Sequence, residues 1–229
     1  MYNEILEIFS IQLEDFDLIK MAVTHPSYTQ SNNLPAIECY ERLEFLGDAM
    51  LKLAASEILY KKFADYDEGK LSKIRSFLVA DNTIAEIAIK LGLNKFLRLG
   101  DGEEKSGGRK RISNNACMFE ALLGAFYLYG KETEIKEFLK KVLEPKVSDI
   151  IENLGKYNAK EILQEYTQSI NKDLPKYETI STKGPAHKTI FEIAVFYHDE
   201  VLAKAEGSTK KAAEQNAAFL ACQKLGLIK

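Results

Sequence analysis

The sequence predicts two folded units in tandem, an all-α domain followed by a smaller α+β domain of order α-β-β-β-α. Three observations predict it. From Met1 to about Ile151 the apolar residues recur at helical spacing and strand alternation is hard to find. Beyond Ala159 a helix-like stretch is followed by three short strand-like segments and a closing helix. Between the two, around Ile151 to Asn158, the pattern loosens about Gly155. The expected boundaries are 1–151, a linker at 152–157, and 158–227. At 229 residues and 46% hydrophobic content, the chain can bury a core in each domain.

Ile5, Leu6, Ile8 and Phe9 give the first apolar stripe, and helical periodicity returns over 38–62, 82–91, 116–129 and 132–143. Asn82 and Asn115 are candidate helix caps, and glycines at 100, 102, 107 and 108 predict a loop. In the second unit Ala159–Gln168 reads as a helix. Lys176–Lys183, Thr189–Tyr197 and Glu200–Glu206 read as strands, and Ser208–Leu225 as the last helix.

The N-terminus, Met1-Tyr2-Asn3-Glu4, lacks a basic leader, and the longest apolar run, Ala121 to Tyr129, is too short to span a bilayer. The expectation is a soluble cytoplasmic protein with no membrane partner and no small-molecule cofactor. Cys39, Cys117 and Cys222 are odd in number and widely spaced, so neither a disulfide framework nor a zinc site is indicated. The net charge of −3 divides unevenly. Residues 156–229 carry 11 Lys against 9 acids, or +2, which leaves 20 cations against 25 acids, or −5, for residues 1–155. An acidic, metal-using half and a basic, phosphate-holding half fit that split.

Glu41, Glu44 and Asp48 stand at i, i+3, i+7 of the 38–62 helix, within a sector of roughly 60°, while Leu43, Leu46, Met50 and Leu53 face the other way. Glu44 and Asp48 lie one turn apart and can share a hard cation; Glu41 lies roughly 10 Å from Asp48. A solvated acidic face is the plainer reading. Against it, only Arg42 is near to compensate the repulsion, and Phe45 lies on the acidic side. A second helix must supply another carboxylate, and Glu120 is the candidate. It opens the apolar stretch Ala121–Tyr129, whose Gly124 and Ala125 permit close packing against Gly47, Ala49 and Ala54. Taken alone, a glutamate at this position is more often an ordinary first-turn residue stabilised by the helix dipole.

The nonapeptide ERLEFLGDA at 41–49 resembles, residue for residue, the signature of the ribonuclease III family of double-stranded RNA endonucleases. His25-Pro26-Ser27-Tyr28, Glu68-Gly69-Lys70-Leu71-Ser72 with Arg75 and Val79, and LGDGEEKSGG at 99–108 resemble further blocks of that family. The α-β-β-β-α order resembles the double-stranded RNA-binding domain. The resemblance therefore implies an all-α endonuclease domain followed by a double-stranded RNA-binding domain.

Several site assignments follow from the resemblance. It implies a Mg2+ cofactor, with Mn2+ as a substitute, held by Glu44, Asp48 and Glu120, with Glu41 assisting catalysis. Phe45 matches a residue that inserts into a partner subunit, which implies a homodimer; the alternative is an aromatic at the core edge. The chain departs from the family at Cys117, where the pattern has an aspartate three residues before the metal-binding glutamate. A thiol is a soft ligand that magnesium does not favour, so Cys117 is expected to lower metal affinity or to be a small buried bystander.

Lys110 and Arg111, with Arg109 before them, approach the Glu120 helix, where cations can hold phosphates. In the second unit Glu161, Gln164, Glu165 and Gln168 make a polar helix face suited to 2′-hydroxyls. The loop carrying His187 and Lys188 is placed to reach a second minor groove, and Lys210 and Lys211 at the last helix start meet the intervening phosphates. The leading reading is a Mg2+-dependent endoribonuclease that cuts duplex RNA to 5′-phosphate and 3′-hydroxyl ends, in rRNA precursor processing and mRNA processing or decay. The alternative is a duplex-RNA-binding protein whose nuclease half, weakened at Cys117, serves as a dimer scaffold.

Overall fold

The computed structural model describes residues 2–184 and 189–228. Its contacts divide the chain into two compact units, Met1–Ser148 and Asp149–Lys229. The first unit is all-helical. Its main elements are α1 (Tyr2–Phe9), α2 (Asp17–Ala22), α3 (Pro26–Ser31), α4 (Glu41–Lys62), α5 (Glu68–Leu78), α6 (Asp81–Lys90), α7 (Asp101–Lys105), α8 (Ile112–Leu128) and the start of α9 (Glu132–Glu152).

α8 is the axis of this unit. Its central residues are apolar on every side, and Ala116, Met118, Phe119, Ala121, Leu122, Leu123, Ala125 and Phe126 are all buried. A helix of that composition is stable only when enclosed, and α2, α4 and α6 enclose it. Phe9 of α1 reaches in between Phe126 and Phe138, with ring centroids 4.8 and 4.3 Å away. Each such buried side chain contributes roughly 1.5–3 kcal/mol of transfer free energy.

The tightest approach is between α4 and α8. A Cβ at Gly47 would overlap the Glu120 carbonyl, and a Cβ at Gly124 would overlap the Leu43 carbonyl. The two backbones touch because neither glycine has a side chain. This crossing also decides which face of α4 is buried: Leu43, Gly47, Met50, Leu51, Ala54, Ala55 and Leu59. Leu53, expected in the apolar sector, is instead 54% exposed, because the close approach at Gly47 turns a different face of α4, the one with Leu43, Gly47, Met50 and Ala54, into the interior.

Two local expectations are corrected. α8 begins at Ile112, so Glu120 lies in mid-helix and owes nothing to a first-turn dipole. Asn115 is no cap: Arg111 takes that place, and buried Asn115 donates from Nδ2 to the carbonyls of Arg109 (3.1 Å) and Arg111 (2.8 Å). Asn114 donates to Glu103 Oε1 (2.8 Å) and the Gly108 carbonyl (3.0 Å). These bonds replace the apolar signal that would have marked the helix start. Asn82 likewise follows Asp81 inside α6, with Ala80 at the cap. α9 continues past Pro145 to Glu152, with Leu143, Val147 and Ile150 keeping its buried stripe.

In the second unit a turn of helix, α10 (Leu154–Tyr157), precedes α11 (Ala159–Asn171), β1 (Lys176–Lys183), β2 (Ile190–Tyr197), β3 (Glu200–Gly207) and α12 (Lys210–Lys224). The strands form an antiparallel sheet in the order β1-β2-β3. His198 and Asp199 both have positive φ and close the β2–β3 hairpin as a two-residue turn. Ala159, Leu163, Val195, Ala217, Ala218, Ala221 and Cys222 make the core. Thr209 caps α12, its hydroxyl accepting from the Ala212 N–H at 3.1 Å. Among the described residues no helix is long and apolar enough to cross a membrane.

Gly47→Ala is expected to destabilise the protein by roughly 3 kcal/mol or more, because the added methyl must force apart a pair of backbones and not a flexible side chain. Gly102→Ala, where a Cβ meets nothing within 4 Å, serves as the neutral control. Urea unfolding of both variants measures the difference.

Candidate active site

Where α4 crosses α8, an open cleft of about 540 Å³ is lined by Glu41, Glu44, Phe45, Asp48, Lys52, Val79, Asp81 and Glu120. The acids come from three helices. Glu41, Glu44 and Asp48 lie along α4, Glu120 comes from the middle of α8, and Asp81 is the first residue of α6. The Gly47 contact pins the Glu120 backbone against α4, so this glutamate is held beside the acidic stripe by backbone packing and not by a salt bridge.

Charge in the cleft is poorly compensated. Lys52 pairs with Asp48 at 2.7 Å, and the Cys39 thiol donates to Glu41 at 3.4 Å. Glu120 is only 8% exposed and has no hydrogen bond or ion pair among the described residues. Burial, followed by the negative charges of Asp48, Glu44 and Asp81, pushes its carboxyl up to about 8, with Lys52 pulling weakly the other way. Glu44 is also raised, chiefly by burial and further by Glu41, Asp81 and Asp48. A hard divalent cation would reverse both shifts, and carboxylate oxygens are the donors such ions take. Among the described residues no three of these side chains close around one point.

Half-buried Cys117 stands against Glu44 and the Tyr40 hydroxyl. Burial and the neighbouring carboxylates push its thiol up to about 12, so at neutral pH it carries no charge. Asp81 is absent from the residues that sequence reasoning selects; its one signal there is an acid opening the 82–91 helix, directly after Val79 and Ala80.

The basic run lies elsewhere. Neither Lys110 nor Arg111 lines the cleft. Arg111 pairs with Glu103 at 2.7 Å, and Arg109 is held by Glu104 and by the carbonyls of Asn94 and Lys95. The glycine-rich segment folds back on itself and uses two of the three cations internally, leaving Lys110 exposed. Phe45 is 83% exposed. Leu53 and Tyr60 continue its side of α4 into a groove of about 680 Å³ shared with Tyr66, Leu71 and Arg75.

In the second unit Glu161, Gln164, Glu165 and Gln168 all lie on the exposed side of α11, and Lys210 and Lys211 are exposed at the start of α12. Ala213, Ala217 and Ala218 are buried. His187 and Lys188 fall outside the described residues.

Known proteins share this organisation. A family profile described as Ribonuclease-III-like matches residues 15–147, and one for the double-stranded RNA binding motif matches residues 159–225. Ribonuclease 3 of Natranaerobius thermophilus is 42% identical over 223 residues, covering 97% of this chain and 95% of its own length. Ribonuclease 3 of Streptococcus pneumoniae is 42% identical over 218 residues, covering 94% and 93%. The nuclease domain of Campylobacter jejuni ribonuclease III, solved in work on flexibility in the region involved in dimer formation, superposes with a TM-score of 0.58 at 34% identity. It covers 63% of this chain and 97% of that one.

Because Glu120 titrates near 8 in the folded chain and near 4.5 when exposed, the unfolded state loses this proton first as pH rises. The stability carried by the neutral form is full below pH 4.5 and is lost through about pH 8. Without divalent cations, melting temperature should therefore fall across that window, and Glu120→Gln should flatten the fall.

Proposed function

This chain belongs to the ribonuclease III family of double-stranded RNA endoribonucleases, and on that premise we propose that it hydrolyses duplex RNA with Mg2+ held by Glu44, Asp48 and Glu120. Mn2+ is an acceptable substitute, and Glu41 lies far enough along the stripe to serve a second ion, a water or the RNA. The observation that carries this reading is the buried, unpartnered Glu120 carboxylate facing the acids of α4 in one cleft. Structural proteins do not ordinarily gather like charges this way, because the repulsion has no return without a cation.

When bound, the divalent ion supplies charge neutralisation at the phosphoryl group and a more acidic water. The protein's own share is positional. Glu120, fixed by the α4–α8 crossing, and Asp48, oriented by Lys52, present oxygens from two helices toward one phosphate. Water oxygen bonds to phosphorus, the P–O3′ bond breaks, and O3′ takes a proton, leaving a 3′-hydroxyl and a 5′-phosphate. Cys117 adds no charge to this set, which predicts a weaker hold on Mg2+ than an aspartate there would give.

The polar face of α11 and the lysines opening α12 would hold the duplex across successive grooves, with His187 and Lys188 as further contacts. Lys110 remains a candidate for phosphate contact; Arg111 would first have to leave Glu103. The exposed Phe45 and the apolar groove near Leu53 and Tyr60 suit a homodimer, in which each copy offers an aromatic knob and a receiving groove. Two cutting centres per dimer would sever both strands. Ribosomal RNA precursors and structured mRNAs in the cytoplasm are the fitting substrates, selected by shape more than by sequence.

With long duplex RNA and Mg2+, the full chain should cut, and Glu120→Gln should lose at least about 100-fold in rate while still shifting the RNA in gels. Shifted but uncut RNA in both Mg2+ and Mn2+ would overturn the enzyme reading and leave a binding protein. Phe45→Ala should sediment as a monomer at concentrations where the parent chain is a dimer. An unchanged dimer would remove Phe45 from the interface.

A further inference from the structure

Resting on the metal-holding role just assigned to Glu44, Asp48 and Glu120, we propose that Asp81 is a fourth carboxylate of the same centre, serving the ion from a third helix where position 117 offers only a thiol. Asp81 opens α6, a helix anchored by buried Ile84, Ala85, Ile87 and Ala88 and packed on α8, which carries both Cys117 and Glu120. The turn around it is fixed: the Thr83 hydroxyl donates to the Phe77 carbonyl at 2.8 Å, and the Thr83 N–H donates to the Ala80 carbonyl at 2.8 Å. Asp81 is therefore delivered to the rim of the cleft by a rigid element, and it lines that cleft with the other four acids.

Its carboxylate is also available. Elsewhere in this unit the acids Glu4, Glu57, Glu86, Glu103 and Glu104 each pair with a lysine or arginine. Asp81 makes no hydrogen bond or ion pair among the described residues, and neither does Glu120. Five carboxylates thus share the cleft with one ammonium, that of Lys52. The Asp81 charge acts on Glu44, on Cys117 and on Glu120, which agrees with its place in the lining of the same cleft. Magnesium selects oxygen over sulfur and binds through few carboxylates and several waters, so an aspartate at the rim can serve it directly or through water.

The competing explanation is local: an aspartate in a first helical turn is favoured by the helix dipole without any ion. Asp101 holds the same position in α7, outside the cleft, and separates the two explanations. The test is Mn2+ binding to the full chain without RNA, followed by electron paramagnetic resonance of the free ion and by calorimetry. Asp81→Asn should weaken Mn2+ binding roughly 10-fold or more, Asp81→Glu should recover most of it, and Asp101→Asn should leave it unchanged. Adding Cys117→Asp to Asp81→Asn should restore affinity toward that of the parent chain. Thermal melting of each variant reports the dipole effect separately. If Asp81→Asn binds Mn2+ as the parent does while Glu120→Gln loses binding, Asp81 is only a helix-start residue and the wider functional reading stands. If the parent itself binds no Mn2+ and leaves duplex RNA uncut, the functional reading falls and this inference falls with it.

Discussion

The contact between Gly47 and Gly124 is the constraint on which the nuclease unit depends. Two helices of ordinary composition pack about 8–10 Å apart, held off by their side chains. Here each glycine lets the opposite backbone in, and the Glu120 carbonyl rests where a Gly47 side chain would be. A helix as apolar as α8 would hold almost any residue in its interior at a cost. This crossing sets the Glu120 carboxylate in the cleft beside the acidic stripe of α4.

The electrostatic consequence follows from that geometry. Burial alone disfavours the Glu120 charge, and the neighbouring carboxylates disfavour it further. The cleft stores this unfavourable energy within the stability of the hydrophobic core around Phe119, Leu122, Leu123 and Phe126. Lys52 pairs with Asp48 and acts only weakly on Glu120, so the imbalance falls on Glu120 of α8 and on Glu44 of α4.

The second unit works by a different principle. Its core is built largely of alanines, Ala159, Ala213, Ala217, Ala218 and Ala221, which let α12 lie close on β2 and β3 and against α11. With so little side-chain volume inside, the polar residues of α11 and the lysines of α12 remain on the outer surface, where a broad, shallow partner can be met by several modest contacts at once. The acidic and basic halves of the chain thereby take separate tasks.

Local chemistry is enough to define most elements. The apolar, β-branched and aromatic run in 190–197, the two-residue gap at His198-Asp199 and the i, i+3, i+7 spacing of Glu41, Glu44 and Asp48 are local features, and they read directly from the chain. The nonapeptide at 41–49 even carries its own packing instruction in Gly47. The start of α8 is not legible, because the side-chain amides of Asn114 and Asn115 donate to Glu103 and to loop carbonyls and not into a capping turn, and the buried Asn115 Oδ1 has no partner among the described residues. Leu53 departs from expectation for a related reason: hydrophobicity says that a residue prefers burial, but the partner helix decides which face receives it. Asp81 gives only the weak local sign of an acid at a helix start, because its place in the cleft depends on side chains from two other helices. The two units, their elements and the acidic stripe were thus written into the chain as short-range periodicity. That Asp81 joins Glu120 in the cleft, and that Arg109 and Arg111 are spent on internal partners, emerged only on folding, since such pairings are set by the packing of elements far apart along the chain.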